Sequence, residues 1–481
     1  MTMPAMDNAL AEPYLVITTD SHLIARHETL PAVVALDAAR QPAPDALLGG
    51  AGIAFIGEAT FRTGFRRFDT EIGGLSGITY DPVRGLYYTL SDDRSDARFY
   101  TVTIDLGDGA LDDGDVTFTG VIRLTDRAGT SFPDGGVDPE GIALTNRDTV
   151  FIASEGNARQ LVPPFVDEFT LGGGLLKELP VDASYTPDAT QRSGIRHNLA
   201  FESATVSPDN AIVTTALENA LIQDGPAADS DNGSPVRIRQ WDARSGEPLG
   251  EVVYTVDTLS EPPADPNGFA TNGLVELLAI DNAGTLLALE RSFAKGAGNS
   301  IRLYQARTAV ADNVIGVPSL LAAPVANEAE KELVLDLATL GIPLDNVEGM
   351  TWGPDLADGR KTLIMVSDNN FNESQFTQFL AFAVDPTKSA SDIHGPDTGN
   401  HGHTDEPPLG SGGVAPADGG SDDQSLNDGA ALDVFPQGQR GTAHASANER
   451  RAAAVTPAVR PGSPLPGTPA PPGTGTGGVG G

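Results

Sequence analysis

Residues 346–370 read NVEGMTWGPDLADGRKTLIMVSDNN. Two short apolar runs flank a turn rich in Gly, Pro and Asp. The first run opens on an acid, Glu348, and the second ends in the cluster Asp368-Asn369-Asn370. Runs of this length with such boundaries are paired strands, not helices. The same plan occurs four more times toward the N-terminus. It is seen in NGLVELLAID with TLLALERS (272–292), LAFESATVSPD with AIVTTALEN (199–219), VDPEGIAL with TVFIASEGN (137–157) and GGLSGITYDP with LYYTLSDDR (73–94).

Taking the first-strand acids as markers, the repeats fall at Glu140, Glu202, Glu276 and Glu348, with Ser76 at the corresponding place in the first unit. Each unit continues into further strand-like runs, such as RFYTVTIDL and DVTFTGVIRL in the first. Four short antiparallel strands per repeat make a propeller blade. A blade of ordinary size takes about 40–50 residues, so the longer steps here imply inserted loops, for example at 220–235 and 306–330. The expected fold is therefore all-β, a propeller of five or six four-stranded blades. The strand IAFIGEATF (53–61) can pair with the last blade and shut the ring, removing an exposed edge. Alternatively, a sixth, degenerate blade is assembled from the N-terminal region.

Three zones follow. Residues 1–50 form an N-terminal segment that is partly ordered at most, and residues 51–386 form the propeller. Residues 387–481 lose hydrophobic periodicity and end in a Pro/Gly-rich stretch expected to be disordered.

The chain carries 66 acids against 30 bases, net charge −36, and no cysteine. Such a surface repels nucleic acid and anionic lipid, which excludes both as general partners. The missing cysteines exclude disulfides, thiolate metal sites and cysteine nucleophiles. No run of about 20 apolar residues is present to span a membrane. The first residues, MTMPAMDNALAEPYLVITTDSH, have neither a basic region nor an apolar one of signal-peptide length. There is no G-x-S-x-G elbow (GGLSG at 73–77 lacks its spacing), no H-E-x-x-H, no P-loop and no G-x-G-x-x-G.

In a propeller the first strand of each blade lines the central channel, so equivalent positions form a ring. Here the ring is read as Glu140, Glu202, Glu276 and Glu348. A second set lies at the ends of the second strands: Asp92, Asp93, Glu155, Glu218, Glu290 and Asp368, with Asn369 beside them. Carboxylates facing one another are costly to bury ionised, and a hard cation offsets that cost. Calcium accepts six to eight oxygens in irregular geometry, which makes Ca2+ the expected cofactor. The expected metal ligands are Glu140, Glu202, Glu276, Glu348, Asp92, Asp93, Asp368 and Asn369. Arg94, Arg196 and Arg291 are the candidate anion-binding groups, and His197 a candidate base. Each feature also has a plain structural reading, as turn-capping acids and arginines paired to neighbouring blade ends.

These strands together resemble the bacterial phytase-like domain, whose members are named for an esterase-like activity of phytase. The likeness covers about residues 51–386. It implies a β-propeller on an exported protein that hydrolyses phosphoesters or esters, here secreted or periplasmic. The D-A-x-D-D-P-A signature of alkaline β-propeller phytases is absent. Glu348-Gly349-Met350 also resembles the E-G-P opening of calcium-dependent lactonase propellers, which implies Glu348 and, by repeat position, Glu140 as metal ligands; Glu348 and Glu140 are also, with His197, the candidate catalytic groups. Three functions follow: a calcium-dependent hydrolase of phosphoesters or related esters, a lactonase or carboxylesterase, or a non-catalytic propeller binding a ligand or protein. The expected substrate is a small anionic ester or phosphoester, and the expected state a monomer.

Overall fold

The computed structural model describes residues 52–385. The expectations for residues 1–50 and 387–481 lie outside them. Strand β1 (Ile53–Arg62) is followed by a small ribbon, β2 (Arg66–Arg67) and β3 (Thr70–Glu71). Four antiparallel sheets then succeed one another along the chain. Blade 1 is β4 (Leu75–Asp81), β5 (Leu86–Ser91), β6 (Arg98–Ile104) and β7 (Val116–Arg123). Blade 2 is β8 (Pro139–Leu144), β9 (Thr149–Ser154), β10 (Phe165–Thr170) and β11 (Leu175–Glu178). Blade 3 is β12 (Thr205–Val206), β13 (Ile212–Ala216), β14 (Ser234–Asp242) and β15 (Pro248–Val256). Blade 4 is β16 (Ala270–Ala279), β17 (Thr285–Ala294), β18 (Gly298–Arg307) and β19 (Glu330–Asp336).

The last sheet decides the blade number. It contains β20 (Asn346–Trp352), β21 (Lys361–Asp368) and β22 (Phe376–Val384), and its outer strand is β1. Pairing runs from Ile53↔Val384 to Arg62↔Phe376. The fold is a five-bladed propeller whose strand β1 closes the ring, and no sixth blade forms among the described residues. The first strands β4, β8, β12, β16 and β20 touch one another in turn around the channel.

The second strands are apolar without alternation because each blade is sandwiched between two others. Successive side chains of a strand point to opposite faces, and here both faces are buried. Val150 and Ile152 pack toward Tyr88 and Leu90 of blade 1. Phe151 and Ala153 pack toward Val213 and Ile238 of blade 3. In β21, Leu363 and Met365 face blade 4, while Ile364 and Val366 face Tyr87 and Tyr100 of blade 1.

Phe379 sits at the closing seam. It is fully buried, with its ring 6.2 Å from Phe61 of β1 and 6.2 Å from Phe118 of blade 1. Phe379→Ala should cost about 3–5 kcal/mol in urea unfolding of the whole chain. A loss below about 1 kcal/mol would show that the seam can collapse into the space left behind.

Candidate functional site

Each first strand is interrupted where it lines the channel. Pairing with the second strand slips between Leu75 and Gly77, between Pro139 and Gly141, and between Val347 and Gly349. The extra residues are Ser76, Glu140 and Glu348. In blade 3 the slip falls between Phe201 and Thr205, around Glu202. A bulge of this kind re-aims a side chain, and here it recurs in each blade at the channel. The residue after the bulge is glycine in three blades for a steric reason. A Cβ on Gly141 would lie 2.4 Å from the Ala204 nitrogen, and one on Gly77 would lie 2.8 Å from the Glu140 carbonyl oxygen.

Blade 4 departs from the pattern. Its slip lies between Leu274 and Glu276, so the bulged residue is Val275 and Glu276 falls one place further on. The repeat equivalence assigned to Glu276 from the sequence is therefore displaced by one residue. Its carboxylate accepts from the backbone N–H of Leu277 at 2.9 Å, and from those of Met350 and Ala204 on the two adjacent blades. Burial pushes this carboxyl well above its usual range, against the pull of those three donors. Glu276 thus ties the inner strands of blades 3, 4 and 5, at the position where blades 1, 2 and 5 have glycine.

The ends of the second strands supply Asp92, Glu155, Glu218, Arg291 and Asp368, all buried. Asp138, two residues before Glu140, joins them. Carboxylate oxygens of Asp138, Glu140 and Glu155 lie within 4.8 Å of one another, and so do those of Glu155, Glu202 and Glu218. Glu155 belongs to both groups. Arg94 reaches this cluster from blade 1, its Nε donating to Asp138 Oδ1 at 2.6 Å and its Nη2 to Asn198 Oδ1 at 2.6 Å. Arg291 enters from blade 4, with Nη2 3.0 Å from Glu348 Oε1 and 3.4 Å from Glu218 Oε1. Asn346 Nδ2 also donates to Glu348 Oε1, at 2.9 Å.

Crowding and burial raise the proton affinity of this set. Burial, then the charge of Asp138, pushes Glu155 up to about 8. Burial raises Glu218 to about 7 although Arg291 pulls it down. Glu140 and Glu202 are driven well above the carboxylate range by burial and by neighbouring acids, and Asp368 by burial and Glu348. Burial also raises Asp138, with Arg94 opposing. Burial alone would lower Arg291, but Glu348 and Glu218 hold it above its ordinary value.

The other sequence candidates divide. Asp92 and Asp368 stand in the channel set. Asn369 is fully buried next to them, its Oδ1 accepting from the Gly74 and Phe371 nitrogens and its Nδ2 meeting no acceptor among the described residues. Asp93 turns outward instead. It bonds Ser95 and takes Arg98 Nη1 at 2.7 Å, and these bonds outweigh burial and lower its pKa. Arg196 donates to the Ala220 and Gly225 carbonyls, and burial lowers its pKa. His197 is pushed down to about 4 by burial and by Arg159 and Arg94, and its buried Nδ1 meets no donor. Glu290 faces away from the channel, toward Tyr254, Asn272 and Lys331.

A family model described as Phytase-like, esterase-like activity of phytase, matches residues 70–371. The chain belongs to the phytase-like family. The match contains each bulge and each strand-end acid just described, and it leaves out β1 and β22 of the closing blade and the short β2. No curated protein matches the chain. Solved structures of similar shape include the endo-arabinase from Bacteroides thetaiotaomicron VPI-5482, at 12% identity and TM-score 0.38, covering 69% of this chain and 98% of that one. Another is the catalytic domain of Coprinopsis cinerea GH62 alpha-L-arabinofuranosidase, at 10% identity and TM-score 0.37, covering 69% and 97%. The tail fiber of Staphylococcus aureus phage P68 matches at 11% identity and TM-score 0.34, covering 71% and 54%. Among the described residues, this phytase-like chain has no helix long and apolar enough to cross a membrane.

Proposed function

We propose that this phytase-like propeller is a calcium-dependent hydrolase of phosphoesters or related esters, working at the acid-lined end of its channel. One observation carries the reading. Asp138, Glu140, Glu155, Glu202 and Glu218 form a buried, contiguous cluster that, among the described residues, is ion-paired with Arg94 and Arg291. Five carboxylates, when ionised, outnumber the two guanidiniums, and a divalent cation would offset most of the excess negative charge. The donors are all oxygen, with no thiol in the chain, which suits calcium. A calcium ion bound there would polarise an ester and offset the charge that builds up during hydrolysis.

The opposite side of the channel has a different character. Among the described residues, Ser76 Oγ and Asn369 Nδ2 are buried without hydrogen-bond partners, on blades 1 and 5. With Arg291 they offer donors to an anionic oxygen of the substrate. Arg94 and Arg196 are committed to Asp138, Asn198 and backbone carbonyls, so their part is to hold the walls. Glu348, gripped by Arg291 and Asn346, is the carboxylate placed to take a proton from the attacking water. His197 is neutral near pH 7 and serves as a second acceptor at the rim. Glu140 belongs with the cation ligands. An exported, monomeric protein whose activity resides in residues 51–386 fits the net charge of −36.

Aryl phosphate, aryl phosphodiester, phytate, aryl ester and lactone should be offered to the full chain with calcium and with a chelator. Calcium-dependent turnover of a phosphorus ester is the expected result, and turnover of the lactone or carboxylester alone would move the reaction class. Silence across the panel from folded, calcium-loaded protein would sink the hydrolase reading in favour of a binding propeller.

A further inference from the structure

Away from the channel, a cleft of about 340 Å³ opens beside the outer strands of blade 2 and the segment leading to blade 3. Its lining mixes apolar side chains, chiefly Phe165, Leu179, Val181 and Tyr185, with the acids Asp167, Glu178 and Asp182, and among the described residues it includes no Lys, Arg or His. Glu178 and Asp182 already have cations. Arg127 Nη2 is 3.1 Å from Glu178, and Arg239 Nη1 is 2.7 Å from Asp182. Asp167 does not. It is 7% exposed, its Oδ1 accepts from the Leu179 nitrogen at 3.1 Å, and among the described residues no donor reaches its other oxygen. A cleft of this size, with apolar side chains on part of its wall and a convergent carboxylate whose second oxygen is open to it, has the anatomy of a small-molecule site.

We propose that this cleft binds a small organic cation, a primary ammonium group on Asp167 with an apolar body against Phe165, Leu179 and Val181. An ammonium supplies the missing donor as a charge-assisted bond, stronger than a neutral hydroxyl could make. An anion would meet three carboxylates, and a bare metal ion would leave the apolar side chains unused. The site is separate from the channel, and the proposal does not depend on the reaction performed there.

The probe is 2-phenylethylammonium, titrated calorimetrically into the full chain, with 2-phenylethanol and 3-phenylpropionate as shape-matched controls. The amine should bind at least about tenfold more tightly than the alcohol, a difference of about 1.4 kcal/mol, and the acid should not bind. Asp167→Asn should reduce the amine to the level of the alcohol, and Val181→Phe, which fills the cleft from one side, should weaken both. Saturating calcium should leave the amine titration unchanged.

The Asp167→Asn protein keeps an acceptor for the Leu179 nitrogen and should fold. Burial, with a small contribution from Glu178 and against Arg127, pushes Asp167 up to about 7, whereas an unfolded aspartate titrates near about 4. The native state therefore binds the extra proton between those values, and parental stability falls as pH rises through that window. The Asn variant lacks that slope and should melt no lower than the parent at pH 8. Equal binding of amine and alcohol, amine binding that survives Asp167→Asn in a folded protein, amine displaced by calcium, or no amine binding at all would each overturn the proposal.

Discussion

The Glu155→Gln protein should melt higher than the parent without calcium and gain almost nothing when calcium is added. Glu155 is the one residue shared by both carboxylate groups. Its Oε1 accepts from the Ala200 nitrogen at 2.6 Å, a bond that a glutamine carbonyl also makes, so the local fold is retained. What disappears is one of several mutually repelling buried acids, and the apo protein should gain about 1–3 kcal/mol at neutral pH. In the parent, calcium at a hundred times its dissociation constant adds about 2.7 kcal/mol. If each group loses its common ligand, affinity should fall at least about 100-fold, and the same calcium concentration then adds only about 0.4 kcal/mol. Hydrolysis should fall by a comparable factor. The two effects have opposite signs, which separates this reading from a purely structural one. A variant that melts lower without calcium would mean the acids are already balanced, and unchanged calcium affinity would place the cation elsewhere.

Much of this arrangement was legible in the sequence, because symmetry repeats it. The apolar second strands and their acidic ends recur with the blades, so TVFIASEGN, AIVTTALEN and TLIMVSDNN announce equivalent positions without any knowledge of the channel. The closing role of IAFIGEATF was also readable, as an edge in need of a partner. The choice between five and six blades was not, because a strand that completes one blade looks locally like the start of another.

Errors arose where the repeat breaks. Glu140 and Glu348 are each followed by a glycine that lets neighbouring inner strands approach, whereas Glu276 is followed by Leu277. That difference separates Glu276 from Glu140 and Glu348 but not from Glu202, which is followed by Ser203 and still sits at the bulge of blade 3. Asp93 next to Asp92 shows a second limit. Adjacent strand-end residues point to different places, and Asp93 is held outward by the local turn at Ser95 and by Arg98, five residues on. Asp138 was missed because it precedes the strand instead of recurring on it. Its place in the cluster depends on Arg94 from the adjacent blade, a contact no local pattern encodes.

The same break in symmetry places a cation where the repeat elsewhere puts acids, and removing it should be the most damaging single change to the site's stability. Arg291 is buried and contacts Glu348 from blade 5 and Glu218 from blade 3. Breaking a buried pair from the cationic side leaves uncompensated charge, so Arg291→Met should cost about 3–5 kcal/mol in calcium-free urea unfolding. Adding Glu218→Gln to that variant should return part of the loss, with a coupling of about 1–3 kcal/mol in a double-mutant cycle. Arg291→Lys should recover little, since a single ammonium cannot reproduce a planar fork shared between two carboxylates. Calcium affinity should move the other way. The guanidinium repels a cation bound at Glu155, Glu202 and Glu218, so its removal should tighten calcium binding even as turnover drops through loss of the grip on Glu348. A structural arginine with no electrostatic link to the acid cluster would change stability and leave calcium affinity alone. Calcium titration of Arg291→Met, under conditions where the variant remains folded, therefore reads directly whether blade 4 and the acids of blades 2 and 3 act as one site.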